Sequence, residues 1–138
     1  MYLYDTFTGL DENYSEEVER NVIGNAYDNI ENWHENVVER FSRFSRVKVI
    51  KGVVPEVLLE ETPAQIAFLH LDLNAAAAEA TALEVLFDRI SVGGIVLMDD
   101  YGRSENFVLH MSLSKWMNDH GHTVLEMLTG QEMVIKRR

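Results

Sequence analysis

Apolar positions along this chain follow two rhythms, unbroken short runs and helical stripes. Ile66 to Leu71 (IAFLHL) and Ile95 to Met98 (IVLM) are uninterrupted, which predicts strands buried on both faces, as in a parallel sheet. Each run stops at acids: Asp72 after the first, Asp99 and Asp100 after the second. Gly93-Gly94 reads as a turn ahead of the second run. Between the two, Ala75 to Arg89 has no internal Gly or Pro and predicts a helix, so strand, helix and strand form a βαβ unit. Right-handed crossover then brings Asp72 and the Asp99-Asp100 pair to the same sheet edge on neighbouring strands.

The flanking segments extend this pattern. Tyr2 to Tyr4 is strand-like, again ends in an acid, Asp5, and is followed by the turn residues Thr8, Gly9, Asp11 and Asn13. Ser15 is placed to cap a short acidic helix ending at Gly24. From Ala26 to Phe44, Ile30, Trp33, Val37, Phe41 and Phe44 recur at helical spacing, with Glu31, Glu35 and Glu39 opposite, predicting a helix packed on a sheet. His34 beside this stripe has no partner at metal-ligand spacing. Val47 to Val54 alternates like a strand, Gly52 marks a bulge, a turn or a close approach of ligand to backbone, and Pro55 opens a single helical turn. Ser104 is a cap for a helix over Glu105 to His120, which Gly121 ends. Thr123 to Leu128 and Glu132 to Lys136 read as a hairpin around Gly130, adding an antiparallel edge.

Composition narrows the function classes. The 138 residues are 46% hydrophobic, which suits one domain (1–138) with a real core, and carry a formal net charge of -11. That charge, with no long Lys/Arg stripe, disfavours nucleic acid and anionic membrane as partners. The absence of cysteine excludes disulfides, thiolate metal sites and a thiol nucleophile. No apolar stretch approaches membrane-spanning length and the start lacks a secretory pattern, so the expected location is cytoplasmic.

The candidate chemistry lies in the acids at strand ends. Two carboxylates about 4 Å apart repel by roughly 4 kcal/mol at an effective dielectric near 20, so a dry cluster requires a cation, a proton or splayed geometry. Oxygen-only ligands with an open position suit magnesium. The plainer alternative is that Asp99 and Asp100 cap turns and face water. His70, inside its strand, reads as a satisfied core histidine before a general base, and His110, on the following helix near the crevice, as a surface residue before a base.

Four stretches in this order resemble the macrocin O-methyltransferase (TylF-like) family of class I S-adenosylmethionine-dependent methyltransferases: YDTFTGL at Tyr4 to Leu10, KGVVPEVL at Lys51 to Leu58, FLHLDLN at Phe68 to Asn74, and GGIVLMDDYG at Gly93 to Gly102. The closing TGQEMVIK is similar to the terminal hairpin of one branch. The resemblance implies a Rossmann-like α/β fold, a mostly parallel sheet with helices on both faces and a C-terminal antiparallel hairpin. It assigns Asp5 to the cofactor's ribose hydroxyls, Gly52 and Val53 to the adenine edge, and Asp72, Asp99 and Asp100 to a divalent ion, such as Mg2+, that orients the acceptor hydroxyl. Asp72 and Asp99 are the implied catalytic residues.

Departures from the pattern matter too. Where many members have Asp-x-Asp-x-Tyr, this chain has Asp72-Leu73-Asn74-Ala75-Ala76. The family's first strand and its glycine-rich cofactor turn precede the Asp5 strand and have no counterpart here. That strand sits between those ending at Asp5 and Asp72, so a hole in the sheet is expected, filled by a second chain, by rearrangement, or by closure of the two edges. The expected state is a dimer or higher homo-oligomer. Two function classes follow: an S-adenosylmethionine-dependent O-methyltransferase acting on a small, sugar-like hydroxyl acceptor, and a catalytically inactive binding or assembly module built on the same domain. A receiver-type domain fits poorly, because its acidic pair belongs after the first strand.

Overall fold

Strand ends, not helices, organise this molecule. The computed structural model describes residues 1–24, 26–27, 30–99 and 107–137, with 107–110, 112 and 114 described by backbone alone. In chain order these are β1 (Tyr2–Asp5), α1 (Glu17–Ile23), α2 (Trp33–Phe41), β2 (Lys48–Lys51), α3 (Glu56–Glu60), β3 (Ile66–Leu71), α4 (Ala76–Leu86) with a 3-10 turn at Phe87–Arg89, β4 (Ile90–Met98), α5 (Phe107–Asp119), β5 (Leu125–Glu126) and β6 (Glu132–Ile135). The order and type of these elements match the expected α/β pattern.

Two sheets form. β1 and β2 pair in parallel, Tyr2 opposite Lys48 through Asp5 opposite Lys51. The second sheet runs β3-β4-β6-β5, with β3 and β4 parallel and the β4-β6 and β6-β5 pairs antiparallel. The βαβ unit and the terminal hairpin are both present as expected. Among the described residues β1 and β3 do not pair with each other. Instead the Tyr4 hydroxyl crosses from β1 to donate to the Glu61 carbonyl at 2.7 Å. Phe68 of β3 is left 58% exposed.

The core lies under the four-stranded sheet. Leu83 of α4, Val96 and Met98 of β4, Leu113 and Met117 of α5 and Val134 of β6 are all fully buried. α4 and α5 pack against each other. Lys136 ends the hairpin in an unusual way: its buried Nζ donates to the Phe87 carbonyl at 2.8 Å and lies 5.0 Å from the Phe87 ring centre. A buried ammonium is tolerable only with such partners.

Several boundaries differ from expectation for physical reasons. The strand expected to start at Ile95 begins at Ile90 and runs through Gly93-Gly94, because a bulge absorbs extra residues: the register steps from Ile66–Ile90 to Phe68–Ile95. Gly93 has φ of 83°, and a Cβ on Gly94 would lie 2.7 Å from Ile90 Cγ2 and 2.8 Å from the Ser91 carbonyl. Only glycine passes there. The helix expected from Ala26 begins at Trp33, since Asn32 adopts φ 52° and ψ 32°, a left-handed conformation that a helix cannot run through. α1 is capped by Glu16 and not Ser15. Glu16 and Glu19 form a reciprocal capping box, while the Ser15 hydroxyl turns back to the Asp11 carbonyl at 2.6 Å. Gly24 ends α1 as expected. Ser104, Asp100 and the Tyr101-Gly102-Arg103 segment lie outside the described residues.

Candidate functional site

The ends of β1, β2 and β3 open onto one cavity of about 210 Å3. Asp5 enters it from the tip of β1, and its half-buried carboxylate is held by an Asx turn in which the Phe7 amide donates to Oδ1 at 2.6 Å. Gly52 and Val53 enter from the end of β2, and the Gly52 amide donates to the Asp5 carbonyl at 3.0 Å. A Cβ on Gly52 would meet Val57 Cβ and Cγ2 at 2.9 Å, so the sequence needs glycine for β2 to turn into α3 beside the cavity. Asp72, Leu73, Asn74 and Ala75 line the third side, from the loop after β3. Tyr14, Tyr27 and Trp33 supply aromatic walls. Tyr27 stacks on Trp33 at 5.5 Å between ring centres, and the Phe7 ring stands edge-on to Trp33 at 5.6 Å.

Asp5, Gly52, Val53 and Asp72, which the sequence singled out separately, therefore share one chamber. Asp99 lies just outside it, adjoining Asp72. Its amide donates to the Leu71 carbonyl at 2.9 Å, continuing the β3–β4 ladder one step past Leu71–Met98. His70 completes a cluster: one donor atom from each of His70, Asp72 and Asp99 lies within 4.8 Å of the others. The expectation of a core histidine at position 70 is wrong. His70 is exposed because β3 alternates here, and it shares with Asp72 the face opposite buried Leu71. His34 lies against the Phe7 ring at 4.9 Å and 3.8 Å from Glu35 Oε1, a structural position. The side chain of His110 is outside the described set.

A further acid shapes the site without a clear sequence signal. Glu79 is fully buried, and its Oε1 accepts from the Leu73 amide at 2.9 Å and the Asn74 amide at 3.2 Å. It thereby holds the loop that begins at Asp72, where Asn74 has φ 55°. Its Oε2 is buried with no hydrogen-bond partner among the described residues. Burial pushes its pKa from 4.5 up to about 8; the two amide bonds oppose the shift, and Asp72 and Glu19 add to it. Glu19 Oε1 accepts the Ala76 amide at 2.7 Å, tying α1 to the start of α4. Ala75 and Ala78 of this stretch line the cavity, small enough to keep it open.

This arrangement presents carboxylates at strand ends around an aromatic-walled chamber. The family model for macrocin O-methyltransferase (TylF) matches residues 1–124. The chain belongs to the TylF family. Solved structures share the fold of this TylF-family chain at low sequence identity. The O-methyltransferase NovP superposes with a TM-score of 0.83 at 16% identity, over 99% of this chain and 60% of its own. CalS11, a calicheamicin methyltransferase, gives 0.73 at 19%, over 97% of this chain and 59% of its own. A SAH-bound methyltransferase from Podospora anserina gives 0.54 at 15%, over 75% and 55% respectively. The chain thus spans about 60% of the length of its first structural neighbours. No curated protein matches it in sequence.

Proposed function

We propose that this TylF-family chain forms the cofactor-acceptor crevice of an S-adenosylmethionine-dependent O-methyltransferase acting on a hydroxyl of a small, sugar-like molecule. The observation that carries the reading is the single cavity joining Asp5, Gly52 and Val53 to Asp72. In this reading Asp5 holds the ribose hydroxyls. Its carboxylate is already oriented by the Phe7 amide, and a carboxylate has acceptor sites to spare for two hydroxyl donors. Gly52 and Val53 present backbone to the base edge, and the Tyr14, Tyr27 and Trp33 faces exclude water from it. S-adenosylmethionine, when bound, supplies an electrophilic methyl group.

Asp72, Asp99 and Asp100 are proposed to hold a divalent ion, with Asp72 and Asp99 also orienting the acceptor. Asp72 and Asp99 support it: each has a donor atom within 4.8 Å of the other's, a separation that side-chain rotation can close around one ion. Asp100 lies outside the described residues. A bound divalent ion lowers the pKa of a hydroxyl it contacts. Within the chain's own residues, Asp99 and Asp72 position the hydroxyl and neutral Glu79 keeps the Asp72 loop fixed.

The sugar-like acceptor is supported by CalS11, whose apo form is named a TDP-rhamnose 3'-O-methyltransferase, and by the TylF family itself. We further propose one domain over 1–138, a cytoplasmic location and a homo-oligomer. No described helix is long and apolar enough to cross a membrane.

Calorimetric titration with S-adenosylmethionine, with and without Mg2+, tests the reading. Saturable heat supports it. No heat under either condition favours an inactive binding or assembly module.

A further inference from the structure

We propose that His70 is a nitrogen donor, beside Asp72 and Asp99, to this ion, which makes this a mixed nitrogen-oxygen site that selects a divalent first-row transition ion over magnesium. The inference rests on the divalent-ion part of the reading above.

His70 and Asp72 are two residues apart, so their side chains leave the same face of the chain at the end of β3. Asp99 is held beside them by its amide bond to the Leu71 carbonyl. Donor atoms of all three lie within 4.8 Å of one another. The His70 ring rests against Phe68 at 6.4 Å between centres, inclined by 37°, which restricts its orientation while leaving it exposed. Phe68 is itself more than half exposed, so the pair forms a rim and not a core.

Charge and ligand chemistry then separate the candidate ions. Asp72 and Asp99 bring two negative charges to a divalent cation, and His70 adds a nitrogen donor. Magnesium favours an all-oxygen shell and keeps its waters, whereas imidazole nitrogen raises affinity for manganese, iron, cobalt, nickel and zinc in the usual order of first-row metals. Donors gathered on one side would leave the remaining positions for water or for acceptor oxygens.

The test uses the full chain, free of any histidine tag, with Mn2+ as probe. Pulsed electron paramagnetic resonance of bound Mn2+ should show nitrogen-14 modulation from one imidazole. His70→Gln should lose that modulation and weaken Mn2+ binding by about tenfold or more, the scale expected when a metal site loses part of its ligand set. Mg2+ affinity should change less than about twofold, and Co2+ should displace Mn2+ at lower concentration than Mg2+ does. Circular dichroism of His70→Gln should match the parent, because the residue is exposed. Asp99→Asn should abolish binding of both ions.

Bound Mn2+ without nitrogen modulation, or with modulation unchanged in His70→Gln, overturns the role of His70. Failure to bind Mn2+ at millimolar concentration overturns the ion site as well. Neither outcome touches the Asp5 end of the cavity, which S-adenosylmethionine titration reads independently.

Discussion

Glu79→Gln isolates the energetics of the loop that carries Asp72. The substitution keeps an oxygen able to accept the Leu73 and Asn74 amides, and removes the ionisable group whose Oε2 is buried without a partner among the described residues. Because the folded pKa, about 8, lies above the ordinary 4.5, the folded chain holds this proton more tightly than the unfolded chain. The resulting stability is fully present below pH 4.5 and is lost as pH rises toward 8, where the folded protein binds more protons than the unfolded. Each pH unit in that window corresponds to about 1.4 kcal/mol. Between pH 6 and pH 9 the parent should therefore lose about 2–3 kcal/mol more stability than Glu79→Gln. Urea unfolding of both proteins at the two pH values measures this double difference, and other titrating groups cancel in it. Parallel pH dependences within about 0.5 kcal/mol, the usual scatter for independent terms, would refute the buried neutral acid.

Three further outcomes follow from the packing. Gly52→Ala should lower stability by about 1–3 kcal/mol in thermal or urea unfolding, because its Cβ would meet Val57 at 2.9 Å. It should also displace the backbone beside Asp5, so S-adenosylmethionine affinity should fall with it in calorimetry. Lys136→Met should cost about 1–3 kcal/mol in chemical denaturation, since it leaves the buried Phe87 carbonyl without its ammonium partner. Leu83→Ala, at a fully buried position between α4 and the sheet, should cost about 2–5 kcal/mol by the same measurement.

What was legible in the sequence follows from how local each signal is. The runs at Ile66 to Leu71 and Ile95 to Met98, with their terminal acids, specify neighbouring parallel strands because a buried run can hardly be anything else at that length. The hairpin around Gly130 and the cap at Gly24 are likewise written in adjacent residues. The helical stripe from Ile30 to Phe44 misled because side-chain spacing does not register the left-handed backbone at Asn32, which lets the helix start only at Trp33.

The candidate site was readable in part for the same reason. Acids at strand ends announce themselves, and the family motifs relate Asp5, Gly52 and Val53 to Asp72 across nearly half the chain. A histidine in an apolar run looks internal, whereas His70 is exposed at the end of β3, on the face opposite buried Leu71. Glu79 was overlooked because a glutamate in an alanine-rich helix reads as solvent-facing. Its role depends on two amides five and six residues earlier, a tertiary arrangement with no periodic trace.

The central claim is that the cavity from Asp5 to Asp72 holds S-adenosylmethionine at one end and acceptor at the other. Its most direct test compares Asp5→Ala and Asp99→Ala in the same calorimetric titration with S-adenosylmethionine. The expected result is that Asp5→Ala abolishes the binding heat while Asp99→Ala retains it and loses any dependence on divalent ion. Binding by Asp5→Ala with the parent's affinity would contradict the claim.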